Sequence, residues 1–261
     1  MATQALVDSP PQVAAASNNP VASAGLSADP RDRLAVALDF PSAAQALAFV
    51  DRLEGTCRWL KVGMELYYAS GSNLVHTLCD RGFEVFLDLK LHDIPNTVAG
   101  AVRSVSSTGA SLLTIHAAGG ERMMAAAAEA ALIPGSPRLL AVTVLTSMAE
   151  SDLEGIGISA APSDQVMRLA KLAQASGITG MVCSPLEIAT LRAELAPSTM
   201  LVIPGIRPAS SVADDQRRIA TPASAIRDGA SLLVVGRPIT QAPDPAAAAS
   251  AILSEIAAAN S

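Results

Sequence analysis

The feature that most restricts the fold of this chain is an eightfold alternation of two hydrophobic patterns. Short apolar runs typical of buried strands recur roughly every 20 to 30 residues. Between them, apolar residues return at helical spacing, as at Ala43, Ala46, Leu47, Val50 and Leu53. The predicted strands are residues 34–40, 59–64, 84–90, 112–117, 139–145, 180–184, 200–204 and 232–236. Such repeated strand and helix units predict an α/β protein with a parallel sheet.

Eight parallel strands covered by helices close naturally into a barrel. We therefore predict a single (β/α)8 TIM barrel over residues 30–261, a length and a 50% hydrophobic content that suit one large core. Periodicity alone does not show closure, so an open doubly wound sheet fits the same pattern. Residues 1–29 are rich in Ala, Ser, Pro and Asn, and we predict that they form a disordered tail.

The composition argues against several classes of partner. A net charge of −6 gives no basic surface for nucleic acid or for an anionic membrane. There is no run of ~18 apolar residues for a transmembrane helix and no signal-peptide pattern. The chain has only Cys57, Cys79 and Cys183, which predicts packing residues in a reducing compartment, the cytoplasm. Cys183 lies near a predicted strand end, at the expected rim of a pocket.

In a barrel of this type the carboxyl ends of the strands hold the chemistry. Unusual polar residues lie there: Asp39, Lys61, Asp88, Lys90, His116, Thr146, Ser184, Arg207 and Arg237. Strand alternation places Asp88 and Lys90 on one face, close enough to pair, and a buried charge requires such a partner. An isolated Asp-x-Lys would be a structural ion pair. Further ionisable residues at Asp39, Lys61 and Asp93 indicate a functional site instead.

The run from Asp88 to Thr97, Asp-x-Lys-x-x-Asp-Ile-Pro-Asn-Thr, resembles the signature of the orotidine 5'-phosphate decarboxylase family. The likeness extends from Arg33 to the last helix and includes residues 61–63, 143–147, 204–208, 215–218 and 235–238. The resemblance implies decarboxylation of orotidine 5'-monophosphate to uridine 5'-monophosphate, the final step of de novo UMP synthesis. It also implies that the reaction uses no metal and no other cofactor.

The resemblance further implies a role for each charged residue. Lys90 would protonate C6 of the pyrimidine after carbon dioxide leaves, and Asp88 would lie beside the scissile carboxylate. Asp39 and Lys61 would contact the ribose. An ammonium already held by carboxylates can stabilise a carbanion with little reorganisation, which agrees with these roles.

Two residues of the signature are implied to act in the other subunit of a homodimer. Asp93 would complete an alternating array of charges across the interface, and Thr97 would also act across it. The resemblance therefore predicts a dimer with shared active sites.

The segments that follow the last two predicted strands, residues 204–207 and 236–238, combine glycine with arginine. Such segments commonly bind phosphate in these barrels, although each glycine could be a turn and each arginine a surface residue. By the resemblance, Arg207, Gly236 and Arg237 would lie at the phosphate. Gln216 would lie on a loop that closes over the substrate, and Thr146 would hydrogen-bond the pyrimidine.

Two other functions fit the same fold. A sugar-phosphate aldolase or isomerase, such as hexulose-phosphate synthase or ribulose-phosphate epimerase, would favour a metal, but His76, His92 and His116 do not form a convincing ligand triad. His116, at a strand end, either touches substrate or makes an interior hydrogen bond. A silent nucleotide sensor would have no need of Lys90 among carboxylates.

Overall fold

The computed structural model describes residues 29–208 and 219–259, which contain a closed parallel barrel with strand order β1 to β8. The predicted barrel is confirmed, and its closure excludes the open sheet. The strands are β1 Leu34–Ala37, β2 Trp59–Gly63, β3 Glu84–Leu91, β4 Leu112–His116, β5 Arg138–Val142, β6 Gly180–Val182, β7 Met200–Ile203 and β8 Leu232–Val235. Most end before the predicted residue, because the apolar runs continue past the last paired position into the loops above the barrel.

Helices follow the strands around the outside of the barrel. They are α1 Ala43–Asp51, α2 Met64–Ser70, α3 Ser72–Asp80, α4 Pro95–Ser106, α5 Gly120–Ala130, α6 Glu150–Gly155, α7 Pro162–Ala175, α8 Ile188–Glu194, α9 Pro222–Arg227, α10 Arg237–Thr240 and α11 Pro245–Ala259. Local chemistry sets several starts. The Ser42 hydroxyl accepts from the N–H of Gln45 (3.4 Å) at α1, and the Thr221 hydroxyl accepts from that of Ser224 (3.2 Å) at α9.

The core has two layers, as strand alternation requires. The inner cluster consists of Ala35, Ala37, Trp59, Phe86, Leu112, Leu140, Val202, Leu232 and Val234. A much larger cluster joins the outer strand faces to the helices. Close packing fixes Gly180, because a Cβ there would lie 2.4 Å from Leu140 Cδ2 and 3.0 Å from the carbonyl oxygen of Leu139. The inner layer fills the barrel, so a ligand can enter only at its open end.

One irregularity interrupts the barrel between β3 and β4. Leu87 pairs with Leu113, but the next paired position joins Leu91 to Ile115. Lys90 lies inside this interruption and has a φ of 50°, in the left-handed region. The regular alternation assumed for the predicted third strand therefore fails at the residue of greatest chemical interest.

Two predictions fall largely outside the described residues. The predicted tail, residues 1–29, is described only at Asp29, whose side chain caps the short 3-10 helix Pro30–Arg33. Gln216 lies in the segment 209–218, which is also outside them. Within the described ranges, no helix has the length and apolar character needed to cross a membrane.

Candidate active site

Four charged side chains meet above the carboxyl ends of β1, β2 and β3. Lys61 Nζ lies 3.2 Å from Asp39 Oδ1 and 3.6 Å from Asp88 Oδ2. Lys90 Nζ lies 2.8 Å from the other oxygen of that carboxylate, Asp88 Oδ1. The result is a row of side chains of alternating charge, which we call the charged chain: Asp39, Lys61, Asp88 and Lys90. The contact between Lys90 and Asp88 has the length of a strong charge-assisted hydrogen bond.

The Asp88 carboxylate is the central member of this chain. Its side chain is only 14% exposed, so burial alone would raise its pKa. The positive charges of Lys61 and Lys90, with the hydrogen bonds that the carboxylate accepts, outweigh burial and hold the pKa of Asp88 below its ordinary value of 3.8. Asp88 is therefore ionised at neutral pH, and both of its oxygens face cations.

A cavity of about 260 Å³ opens beside the charged chain. The predicted site residues among its lining are Asp39, Lys61, Asp88, Lys90, Thr146, Arg207, Gly236 and Arg237. Apolar side chains on and after β5 and β6 line it as well, among them Val142, Val144 and Val182. The cavity thus combines a charged wall, an apolar wall and two arginines, a set that suits a ligand with a ring and an anionic group.

The arginine side of the cavity is formed by the loops after β7 and β8. Gly205 has a φ of 80°, a conformation that favours glycine, and it directs the chain toward Arg207. Arg207 is buried, and its Nη1 donates to the carbonyl oxygen of Ile206 (3.0 Å). A Cβ at Gly236 would lie 3.4 Å from Asp39 Oδ2, so the loop after β8 passes close to the charged chain. Both loops lie where the sequence predicts phosphate binding.

Asp93 and Thr97 lie apart from this cavity in their own chain. Both are exposed, on the loop after β3 and in the first turn of α4, and neither lines the cavity described above. Asp93 Oδ1 accepts from the N–H of Ile94 (2.6 Å), and Ile94 itself is 67% exposed. The structure therefore does not join these two residues to the other predicted site residues of the same chain.

Other strand-end residues have structural contacts. The Ser184 hydroxyl and N–H both donate to the Glu187 carboxylate, and the hydroxyl accepts from the N–H of Leu186, which caps the short helix Pro185–Glu187. Cys183 lines the cavity but is buried, and burial raises the pKa of its thiol. Protonated at neutral pH, Cys183 is a packing residue and not a nucleophile.

His116 lies next to the charged chain, with its ring centroid 5.5 Å from that of His92. Burial, followed by the His92 and Lys90 charges, lowers the pKa of His116 below its ordinary value of 6.5. His116 does not line the cavity of about 260 Å³. Among the residues described, no group of three or more His, Cys, Asp or Glu side chains is arranged to hold a metal ion.

Thr114 is the residue of this region that the sequence did not single out. It is fully buried on β4, and its hydroxyl contacts both Asp88 and the backbone of Lys90. A threonine in a strand of apolar residues looks like an ordinary β-branched strand residue. Its only sequence signal is its position two residues before the strand-end His116.

Comparison with known proteins agrees with the signature. A family model described as "Orotidine 5'-phosphate decarboxylase / HUMPS family" matches residues 32–252. The relatives of this chain include two proteins named orotidine 5'-phosphate decarboxylase that cover most of its length. That of Halorhodospira halophila is 55% identical over 228 residues, covering 87% of this chain and 97% of the relative. That of Nitrosospira multiformis is 54% identical over 214 residues, covering 82% and 89%.

Solved structures show the same similarity. The crystal structure of orotidine 5'-phosphate decarboxylase from Lactobacillus acidophilus matches with a TM-score of 0.78 and 39% identity, covering 86% of this chain and 99% of that one. An uncharacterized conserved protein from Geobacillus kaustophilus matches with a TM-score of 0.76 and 40% identity, covering 85% and 99%. Fold and sequence thus point to the same group of proteins.

Proposed function

Because this chain belongs to the orotidine 5'-phosphate decarboxylase / HUMPS family, and its relatives are carboxy-lyases, we propose that it decarboxylates orotidine 5'-monophosphate to uridine 5'-monophosphate without a cofactor. This would be the final step of de novo UMP synthesis. The observation that carries the proposal is the Lys90 ammonium, 2.8 Å from Asp88 Oδ1 at the wall of the cavity. A cation held in this way is the group that a developing carbanion requires.

In the proposed reaction the bond between C6 and the carboxylate carbon breaks, and carbon dioxide leaves without the bonding electron pair. That pair stays on C6 of the pyrimidine, where the Lys90 ammonium stabilises it and then donates a proton. The N–H bond of the ammonium breaks as the C6–H bond forms, and Lys90 is left as a neutral amine that regains a proton from solvent. Asp88 lies beside the scissile carboxylate and keeps the ammonium in place before the charge develops.

The remaining cavity residues are proposed to hold the substrate. Asp39 and Lys61 contact the ribose, and Thr146 hydrogen-bonds the pyrimidine. The arginine side of the cavity, with Arg207, Gly236 and Arg237, binds the phosphate, and Gln216 closes over it. Binding energy from a phosphate far from C6 accelerates the reaction when it is realised in the transition state.

We propose that the enzyme is a homodimer in which Asp93 and Thr97 act in the partner's site. Both side chains are exposed and lie outside their own cavity, which supports this arrangement. A further opening of about 200 Å³ reaches Lys61 and Lys90 beside the start of α2. This opening gives a partner's carboxylate a route to the ammonium groups.

A reducing, cytoplasmic location completes the proposal. Cys57, Cys79 and Cys183 are free thiols, and Cys57 and Cys183 are buried. Burial raises the pKa of Cys57 to about 12. None of the three cysteines is arranged as a disulfide that an oxidising compartment would form.

The test is decarboxylation of orotidine 5'-monophosphate by purified, chelator-treated protein, followed by ultraviolet absorbance. We expect turnover by the wild type and a loss of more than about 100-fold in Lys90→Ala, because the proton donor is removed. Lys171→Ala is the matched control, since Lys171 forms an exposed ion pair with Glu194 on the outer surface. Absence of turnover by folded wild type, or turnover only when a divalent metal is added, would contradict the proposal and favour the sugar-phosphate or sensor alternatives.

A further inference from the structure

The break between β3 and β4 places one residue opposite three. From Leu87 to Leu91 the chain of β3 advances four positions, while from Leu113 to Ile115 its partner advances two. The single residue Thr114 of β4 therefore faces the segment 88–90 of β3. This segment contains both members of the central ion pair.

The Thr114 hydroxyl bonds to the first and the last residue of that segment. It donates to Asp88 Oδ1 (3.0 Å) and accepts from the backbone N–H of Lys90 (2.8 Å). The side chain is completely buried. A hydroxyl has one donor and two acceptor positions, so its only proton is committed to the carboxylate. In a regular ladder the N–H of Lys90 would donate to a carbonyl of the neighbouring strand.

Lys90 is held in a backbone conformation that L residues rarely adopt, with a φ of 50°. Such a conformation persists only where the surroundings stabilise it. The contacts that fix the residue here are the Thr114 hydroxyl at its N–H and Asp88 Oδ1 at its ammonium. Because the same carboxylate oxygen accepts from both Thr114 and Lys90, one hydroxyl sets the position of the donor and of its counter-ion.

We propose that Thr114 is a positioning residue for the decarboxylation, which holds the Lys90 backbone and the Asp88 carboxylate in the arrangement that aims the ammonium into the cavity. This inference rests on the proposed function. Thr114 does not line the cavity, so it acts through Lys90 and Asp88 and not by touching substrate.

The hydroxyl, and not the shape of the side chain, is the required feature. Valine has nearly the shape of threonine, but it would leave the partly buried N–H of Lys90 without this acceptor and Asp88 without one of its donors. The strand could then relax toward regular pairing, which would move the ammonium. Loss of the hydrogen bond from Thr114 to the Asp88 carboxylate would also raise the pKa of Asp88. The charged groups that face this carboxylate are Lys61 and Lys90.

The experiment compares Thr114→Val and Thr114→Ser with wild type in the same decarboxylation assay. We expect Thr114→Val to lower kcat about tenfold or more, and the acid-side inflection of its pH profile to move to higher pH. Thr114→Ser keeps the hydroxyl and should recover most of the activity and the wild-type profile. Thr114→Ala removes the hydroxyl with less crowding and replaces the valine variant if that one does not fold.

Thr143→Val is the matched control, since Thr143 is also buried but its hydroxyl donates to the backbone carbonyl oxygen of Val182 (3.0 Å) and not to a carboxylate. It should change stability without moving the pH profile. Wild-type turnover with an unchanged profile and kcat in Thr114→Val, or equal losses in the valine and serine variants, would overturn the inference. Wild-type inactivity would instead defeat the proposed function itself, so the two failures are distinguishable.

Discussion

The Lys90 ammonium donates a hydrogen bond to Asp88 Oδ1, with 2.8 Å between the two atoms, while the backbone of Lys90 has a φ of 50°. A left-handed conformation costs a non-glycine residue roughly 1–2 kcal/mol. The ion pair and the Thr114 contact offset this cost at the residue proposed to donate the proton. Strained residues concentrate at functional sites because the surrounding structure must be built to hold them. The region around Lys90 is therefore where substitutions should separate stability from activity most clearly.

Replacement of Asp88 by asparagine tests the centre of the charged chain. Asp88→Asn removes the carboxylate that lies between Lys61 and Lys90, so that Lys90 loses its ion pair and Lys61 keeps only the one with Asp39. We expect the free energy of unfolding to fall by about 1–3 kcal/mol and turnover to fall more than about 100-fold. Denaturant unfolding and the absorbance assay measure the two effects. The control Asp51→Asn breaks an ion pair between Asp51, whose side chain is 67% exposed, and Arg81. It should lower the free energy of unfolding by less than about 1 kcal/mol. Equal costs for the two variants would contradict the assignment.

His116 predicts a pH dependence of stability. Burial, with the charges of His92 and Lys90, lowers the pKa of His116 below 6.5, so the folded protein favours the neutral ring. Its contribution to stability is complete above about pH 6.5 and is lost as the pH falls toward the folded-state pKa. His116→Gln should flatten this part of the curve of unfolding free energy against pH. A curve for His116→Gln with the same slope as that of the wild type in this pH range would count against the prediction.

Gly63 predicts an effect on the Lys61 ammonium by crowding alone. A Cβ at position 63 would lie 3.2 Å from Lys61 Nζ and 3.6 Å from Asp39 Oδ1. We expect Gly63→Ala to displace the ammonium and to lower kcat/KM about tenfold, with little change in unfolding free energy, because a flexible side chain can move. Gly155→Ala is the control, as nothing lies within 4 Å of the added atom. Unchanged kinetics in Gly63→Ala would show that Lys61 tolerates the shift.

The barrel could be predicted from the sequence, because eight apolar strands that alternate with amphipathic helices can bury their apolar residues in only a few architectures. It also predicted the pairing of Asp88 with Lys90, since residues two apart in a strand share a face. The break in pairing at Lys90 was not predictable in this way. It depends on how many residues each of the two strands has between successive paired positions. The hydrophobic pattern within one strand does not contain this information.

The position of Asp93 illustrates a different limit. The signature places Asp93 three residues after Lys90, and a local argument would put it in the same site. Strand β3 ends at Leu91, and Asp93 lies exposed on the loop that leads to α4, outside the cavity of its own chain. Thr114 was missed for a related reason, because its importance arises from which atoms lie opposite it across the break.

Arg237 predicts an effect that depends on the substrate phosphate. If it binds the phosphate, Arg237→Ala should raise KM for orotidine 5'-monophosphate by about tenfold or more. The same variant should act on orotidine, the nucleoside without phosphate, as poorly as wild type does. Arg227→Ala, at an exposed position on α9, should be unchanged with both substrates. Equal losses with both substrates would mean that Arg237 acts elsewhere than at the phosphate.

The proposed sharing of each active site between two subunits predicts complementation between inactive variants. Lys90→Ala and Asp93→Ala are each expected to be inactive alone, because every site lacks one group. In a mixed dimer with Asp93 acting across the interface, one site has both lesions and the other has none. Random exchange makes about half of the dimers mixed, so activity should approach roughly one quarter of wild type. The matched control mixes Lys90→Ala with Asp88→Ala. Each of these substitutions damages the site of the chain that carries it, so no dimer in this mixture has an intact site. If native mass spectrometry shows exchange and the first mixture stays inactive, Asp93 does not act in the partner.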